Sequence, residues 1–263
     1  MINSDSKIKQ MNFLKKREKL KMDRPYIFCH MATALDGKIS GPYHGAAGPE
    51  AGQLFYHLAF EKDGFYQNQG WLSGRTTTDD NFTFYKKPIL DESAPKVPAG
   101  DFVIPTEFSK YYISIDPHGR LAWQSNELIY QDTHAQVLEV LTDQASNAYK
   151  AFLRKKQIPY IIAGDQKLDA KLALKKLKNL FHLETVMLGG GAVLNWSFIQ
   201  QGLCDEVSLV VTPAADGTPT TPALFEAREG LSDTTPVTFT LKGVQTKSNV
   251  VWLRYLVNHK QDN

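Results

Sequence analysis

The sequence predicts one α/β domain in which a mostly parallel sheet carries antiparallel strands at its C-terminal side. Three observations lead there. Short apolar, β-rich runs alternate with stretches of helical period through about residue 205, and strand-like runs then follow one another without helices between them. The chain has 263 residues, which suits one large domain. No repeat at a fixed period and no low-complexity tract divides it.

The elements follow in order. Tyr26 to Thr33 is an apolar strand that ends in the turn Asp36-Gly37-Lys38. Pro49 to Lys62 reads as a helix with Leu54, Phe55, Leu58 and Ala59 on one face and its proline near the start. A short strand, Gln69 to Ser73, is closed by Gly74-Arg75-Thr76, where a second helix starts. Lys86 to Pro105 holds four prolines and few apolar residues, so it is a loop. Tyr111 to Ile115 is a strand leading into the turn Asp116-Pro117-His118-Gly119. Gln136 to Leu141 and Tyr160 to Ala163 are further strands, with a helix over Ala145 to Lys156 between them.

Asp169 to Phe181 is amphipathic, with Leu172, Leu177 and Leu180 expected inward and Lys171, Lys175 and Lys178 outward. Thr185 to Leu188 is a brief strand. It is followed by Gly189, Gly190 and Gly191, and then by a helix from Ala192 to Gln201 that is apolar on nearly every side and therefore must be buried. Three strands close the chain: Val207 to Thr212, Val237 to Leu241 and Val250 to Val257, the last two joined through Lys242 to Asn249.

Composition narrows the function. With 42% apolar and 22% charged residues the chain is neither fibrous nor disordered. No apolar run approaches the ~18 residues of a membrane span, and charges occupy the N-terminus where a signal peptide has its apolar core, so a soluble, cytoplasmic protein is expected. Cys29 and Cys204 form no C-x-x-C pair, in keeping with a reducing compartment. The formal charge of +2 is unevenly placed. Residues 1–24 hold eight basic and three acidic side chains, a net +5, so residues 25–263 carry −3. That segment reads as a basic N-terminal extension preceding a domain over 25–263. Phe13 is its only aromatic residue, so neither a nucleic-acid nor a membrane partner is expected.

Several chemistries are set aside by inspection. The seven histidines include no close pair with metal-ligand spacing, and no metal site is expected. Gly70 to Gly74 misplaces its serine for a nucleophile elbow. Ala32 and Ile39 stand where a P-loop needs its first glycine and its magnesium-binding hydroxyl. What remains is the strand, glycine turn and helix start over Thr185 to Leu194, whose free N–H groups suit a pyrophosphate. Glycine matters because a β-carbon would hold the backbone off the phosphate oxygens, so Gly190→Val should abolish binding while leaving the fold largely intact. A tight turn with no ligand is the competing reading: Leu194 replaces the third glycine of the common dinucleotide fingerprint. Asp36 and Lys38 are the polar groups nearest the end of the first strand, where either would anchor substrate or relay a proton; the alternative for Asp36 is a turn acceptor bonding the backbone.

Four segments in series carry a family resemblance. These are Ala34-Leu35-Asp36-Gly37-Lys38-Ile39, then Gly74-Arg75-x-Thr77-x-x-Asp80 with Thr76 as its other register, then Leu188 to Gly191, and last Gly202 to Glu206 followed by a strand and Pro213. From Pro25 to Val257 the chain resembles the reductase domain of bacterial riboflavin biosynthesis, the C-terminal half of the bifunctional deaminase–reductase. It lacks the zinc ligands of the deaminase half, so the resemblance is to a stand-alone form. The resemblance implies a three-layer, dihydrofolate-reductase-like fold, a homodimer, and NADPH-dependent reduction of 5-amino-6-(5-phosphoribosylamino)uracil by hydride transfer to a C=N bond in the ring-opened ribosyl group. It places Ala32 and Thr33 along the nicotinamide, Gly74, Arg75, Thr76 and Asp80 on the adenosine side, and Gly189, Gly190, Gly191, Ala192, Val193 and Leu194 at the pyrophosphate. Arg75, His118 and Arg120 are its candidates for a 2′-phosphate.

Departures gather on the substrate side. The acid expected ahead of the glycine turn is Leu188-Gly189, the Ser and Trp expected after the first strand are Tyr43 and Gly45, and the later arginine is Lys86 or Lys87. Tyr43 and Lys87 are the substrate-binding candidates, for a phosphorylated pyrimidine or related heterocycle. A dihydrofolate-type reductase, with Glu50 or Glu61 as its carboxylate, and a non-catalytic nucleotide-binding protein are the alternatives.

Overall fold

A computed structural model describes residues 23–215 and 217–259; residues 1–22 of the basic extension lie outside the described residues. Strand β1 is Tyr26–Thr33, helix α1 Tyr43–Ala46, α2 Glu50–Ala59 and β2 Gly70–Gly74. The short α3, Arg75–Thr78, runs on into a π-helical turn over Asp79–Thr83. Then come β3 (Tyr111–Ile115), β4 (Glu127–Tyr130), β5 (Thr133–Leu141), α4 (Asn147–Lys155), β6 (Tyr160–Ile162) and α5 (Ala170–Phe181). The remainder is β7 (Thr185–Leu188), α6 (Ala192–Gln200), β8 (Glu206–Val211), β9 (Phe239–Lys247) and β10 (Val250–Val257). No helix among these residues is long and apolar enough to cross a membrane.

The ten strands form one sheet in the order β4-β5-β3-β2-β7-β1-β8-β10-β9, with β6 also pairing with β5. Its centre is parallel, and β9 and β10 are antiparallel, as the consecutive C-terminal strands predict. The opposite edge differs from expectation, because β4 is an antiparallel strand that the sequence reading passes over. β1 is almost wholly buried and mostly apolar because helices cover both its faces. Phe28 packs with Leu54 and Leu58 of α2 on one side, and Ile27 and Cys29 pack with Phe198 and Ile199 of α6 on the other. The three layers are therefore α2, α3 and α4, the sheet, and α5 with α6.

Two helices explain their own composition. α5 is capped by Asp169, whose carboxylate accepts the Leu172 N–H, and it buries Ala170, Ala173, Leu174, Leu177 and Phe181. Leu180, expected inward, is 37% exposed, because this stripe is centred on 174 and 177 and leaves position 180 on its rim. α6 has no exposed residue. Residues 225–239 cover its outer side, with the Phe225 ring 5.9 Å from Trp196 and the Trp196 indole N–H donated to the Asp233 carbonyl.

Buried polar groups fall into two kinds. His30 is neutral and structural: burial lowers its pKa to about 4, and its ring stacks on Phe55 and bonds Ser208 Oγ and the Phe55 carbonyl. Glu206, 1% exposed, accepts from Arg254 (2.7 Å), Lys242 (2.7 Å), Tyr26 (2.6 Å) and Tyr66 (2.5 Å). Beside it, Arg24 holds Asp205 through both guanidinium nitrogens at 2.8 and 2.9 Å.

Glu139 is the opposite case. It has no cation: Trp123 Nε1 and Tyr149 OH donate to one oxygen, and the other has no partner. Burial first, and then the neighbouring Asp116, raise its pKa well above the ordinary carboxylate value. The unfolded glutamate thus releases a proton that the folded one keeps, and stability is lost as pH rises above about 4.5. The limiting slope is about 1.4 kcal/mol per pH unit. Glu139→Gln, which mimics the neutral acid, is expected to flatten that slope and raise stability at pH 8. Denaturant unfolding at pH 5 and pH 8 measures it, and equal pH slopes for the two proteins would refute the assignment.

Candidate functional site

A parallel sheet offers a ligand crevice where connections from adjacent strands leave for opposite faces. Here the connection from β1 runs to the α2 face and that from β7 to the α6 face, so the crevice lies between the carboxyl ends of β1 and β7. β7 pairs with β1 only as far as Leu188 opposite Cys29, while β8 continues to Val211 opposite Thr33. The last residues of β1 thus keep one edge unpaired. Ala32 and Thr33 lie at that edge. The Ala32 carbonyl accepts the hydroxyl of buried Tyr43 at 3.2 Å, and that of Thr33 accepts the Thr212 N–H at 2.8 Å.

The two turns singled out in the sequence meet here. Gly189 N–H bonds the Leu72 carbonyl at 2.9 Å, tying the glycine turn to β2. A β-carbon on Gly190 would stand 2.9 Å from Ser73 Oγ and 3.0 Å from Thr77 Cγ2, and one on Gly74 would stand 3.6 Å from Leu194 Cδ2. Gly191 takes φ +81°, a conformation that side chains other than glycine's rarely adopt. It caps α6 with no side-chain acceptor, so no side chain caps the opening N–H groups at Ala192, Val193 and Leu194. The expectation that Gly190→Val leaves the fold largely intact is corrected here: the closest neighbours of position 190 are the protein's own side chains, so a β-carbon strains the contact between the two turns.

Around α3, Arg75 reaches Asp79 at 2.7 Å, and Thr83 donates to the other Asp79 oxygen at 2.6 Å. Asp79 is the inward carboxylate of this turn; Asp80 and Thr76 are exposed, and Asp80 accepts the Tyr85 hydroxyl. His118 and Arg120 belong to the turn after β3, where buried Asp116 accepts the N–H groups of Arg120 and Leu121. Burial raises the Asp116 pKa, and its second oxygen has no partner.

Asp36 and Lys38 sit in the turn after β1, with Asp36 accepting the Gly217 N–H (3.1 Å) and Lys38 donating to the Thr221 carbonyl (3.1 Å). Lys87 is not brought to the crevice residues. It is exposed and lines a cavity of about 790 Å³ with Lys86, Trp123, Phe152, Lys155 and Lys156. His57, Glu61 and Asp63 are the grouping of possible metal ligands among the described residues; His57 is in the last turn of α2 and the two acids follow its end, at the pole opposite the crevice.

Asn195 is a residue the sequence reading passed over. It is fully buried in α6 one turn after Gly191, and neither amide atom has a partner. Its signal was an amide inside an apolar run.

Comparison with known proteins bears on this geometry. The model of the family described as RibD C-terminal domain matches residues 25–253. The chain is 26% identical over 196 residues to the 2,5-diamino-6-ribosylamino-4(3H)-pyrimidinone 5′-phosphate reductase of Methanothermobacter thermautotrophicus, covering 74% of this chain and 80% of that one. Among solved structures, RibD of Acinetobacter baumannii is similar with a TM-score of 0.58 at 18% identity over 92% of this chain. The match spans 60% of that longer protein. A pyrimidine reductase-like protein of Corynebacterium diphtheriae gives a TM-score of 0.60 at 15% identity, covering 90% of this chain and 93% of that one.

Proposed function

The chain belongs to the RibD C-terminal domain family, and we propose that it is an oxidoreductase that uses NADPH to reduce a phosphorylated ribosylaminopyrimidine. The curated relative is named for the 2,5-diamino pyrimidinone, so that compound stands beside 5-amino-6-(5-phosphoribosylamino)uracil as the substrate. One observation carries the reading: the uncapped start of α6 behind Gly189, Gly190 and Gly191, at the crevice between β1 and β7.

The residues present fit a dinucleotide. Backbone N–H groups of Ala192, Val193 and Leu194 would hold the pyrophosphate, where the helix dipole favours negative charge. Thr76 and Asp80 would lie on the adenosine side, and Arg75, half-exposed beside Asp79, would meet a 2′-phosphate. Ala32 and Thr33 would flank the nicotinamide along the open edge of β1. When bound, the nicotinamide would supply the hydride to the carbon of the C=N bond, and a proton from solvent would complete the amine at nitrogen. The chain's part is to orient donor and acceptor carbons and exclude water, which needs no strong acid–base residue. Tyr43 is proposed on the substrate side, acting from behind Ala32, whereas Lys87, which lines the separate cavity beside Trp123, is not.

Titration with NADPH and NADH, followed by nicotinamide fluorescence, tests the proposal. NADPH is expected to bind in the micromolar range, and Arg75→Ala to weaken it about 10-fold while leaving NADH unchanged, as befits loss of one charge-assisted contact. Binding of neither cofactor would sink the reading. Turnover with the two pyrimidines then names the substrate. The proposed homodimer would form through β9, an edge strand that exposes Leu241 and Val244, and a monomer by light scattering would overturn it.

A further inference from the structure

Asp36 and Lys38 would be the obvious candidates for proton transfer, yet each is already hydrogen-bonded to the backbone of a later segment. Both hold the segment from Gly217 to Glu226. Besides the contacts of Asp36 with Gly217 and of Lys38 with Thr221, Ile39 N–H bonds the Pro222 carbonyl (3.1 Å) and Leu224 N–H bonds the Gly37 carbonyl (3.0 Å). Lys38 and Ala223 form an antiparallel bridge. At its other end the segment meets α6: Glu226 N–H is donated to the Ala192 carbonyl at 3.3 Å, and the Glu226 carboxylate accepts the Ala223 N–H at 3.0 Å. One short segment therefore joins the turn after β1 to the first residue of the helix after β7. Those are the two walls of the crevice.

We propose that Asp36 and Lys38 are positioning residues that dock residues 217–226 between the β1 turn and the start of α6, completing the substrate end of the crevice and exchanging no proton with substrate. This rests on the reductase reading. The chemistry of the contacts separates the two roles. Asp36 acts as an acceptor for a backbone N–H, a task that an asparagine amide oxygen performs equally well, whereas a general acid or base is lost in Asp36→Asn. Lys38 donates to a carbonyl, which arginine also does and methionine does not.

The test is steady-state kinetics on Asp36→Asn, Asp36→Ala, Lys38→Arg and Lys38→Met, alongside amide hydrogen exchange at Ile39 and Leu224. Docking predicts that Asp36→Ala and Lys38→Met raise KM about 10-fold with kcat within about 3-fold, the loss of one or two hydrogen bonds. Asp36→Asn and Lys38→Arg should restore most of it. NADPH affinity should stay within about 2-fold throughout, and exchange at both amides should speed up in the alanine and methionine variants. A fall in kcat as deep in Asp36→Asn as in Asp36→Ala would overturn the proposal in favour of proton transfer. Unchanged exchange at Ile39 and Leu224 in Asp36→Ala would overturn it outright. Should the wild-type protein bind no nicotinamide cofactor, the reductase reading fails by itself, and the exchange experiment still decides whether these side chains dock the segment.

Discussion

Replacing Glu206 with alanine is expected to destabilise the fold by about 3–5 kcal/mol, the range found when one member of a buried charge cluster is removed. The carboxylate is 1% exposed and faces Arg254 and Lys242, so its loss leaves two cations against one another and removes the acceptor to which the Tyr26 and Tyr66 hydroxyls donate. Arg254 cannot simply swing outward, since its guanidinium stacks over the Phe65 ring at 4.1 Å. The electrostatics of the cluster point the same way. Burial alone would raise the Glu206 pKa, but Arg254 and Lys242 outweigh it and hold the group at about 2, against 4.5 in the unfolded chain. At about 1.4 kcal/mol per unit this difference is worth about 3–4 kcal/mol.

Because the folded pKa is depressed, that stability is present above about pH 4.5 and is lost as pH falls towards 2. Wild-type unfolding free energy should therefore drop over that window, and Glu206→Ala should show a shallower drop from a lower start. A loss below about 1 kcal/mol at pH 7 would mean that the cluster contributes little. Activity per folded molecule should survive, since Glu206 begins β8 and the crevice lies beyond its other end, ~16 Å away at ~3.3 Å per residue.

The legibility of the fold in the sequence follows burial. β1, β3 and β7 were readable because both faces are covered and their residues are mostly apolar strand formers. β4 was not, since four residues with Ile129 exposed and a two-residue turn, in which Gln131 takes φ 50° without glycine, give no period and no turn signal. β9 was read as ending near Leu241 and continues to Lys247, because both faces of its second half are solvated and its polar residues resemble a loop. At the site, the glycine turn and the Gly74 turn were each visible, but their contact through Ser73, Thr77 and Leu194 is tertiary. The same holds for Asp36 and Lys38: their spacing reads as a turn, and their partners lie some 180 residues later.

That contact between the two turns yields the second large effect. Gly190→Ala is expected to weaken nicotinamide-cofactor binding by about 10- to 100-fold, with a loss of stability of about 1–3 kcal/mol. The new β-carbon would lie 2.9 Å from Ser73 Oγ, 3.0 Å from Thr77 Cγ2 and 3.1 Å from Ser73 Cβ, closer than carbon packs in real interiors. The turn cannot yield freely, because Gly189 is bonded to Leu72 on β2 and Gly191 to Asn195 within α6. The start of α6 must then shift away from the Gly74–Thr78 turn, and the N–H groups proposed for the pyrophosphate lose their alignment. Direct exclusion of a phosphate by the methyl group predicts the same loss for a different reason, and relief of the internal clash separates the two. Ser73→Ala with Thr77→Ser removes the two nearest atoms while Tyr112 keeps its bond to Thr78. Added to Gly190→Ala, this pair should recover about 3- to 10-fold of the lost affinity, measured against a Ser73→Ala/Thr77→Ser control by fluorescence titration. If the triple variant binds no better than Gly190→Ala, the methyl group acts on the ligand directly, and glycine at 190 is there for the phosphate and not for the fit between the two turns.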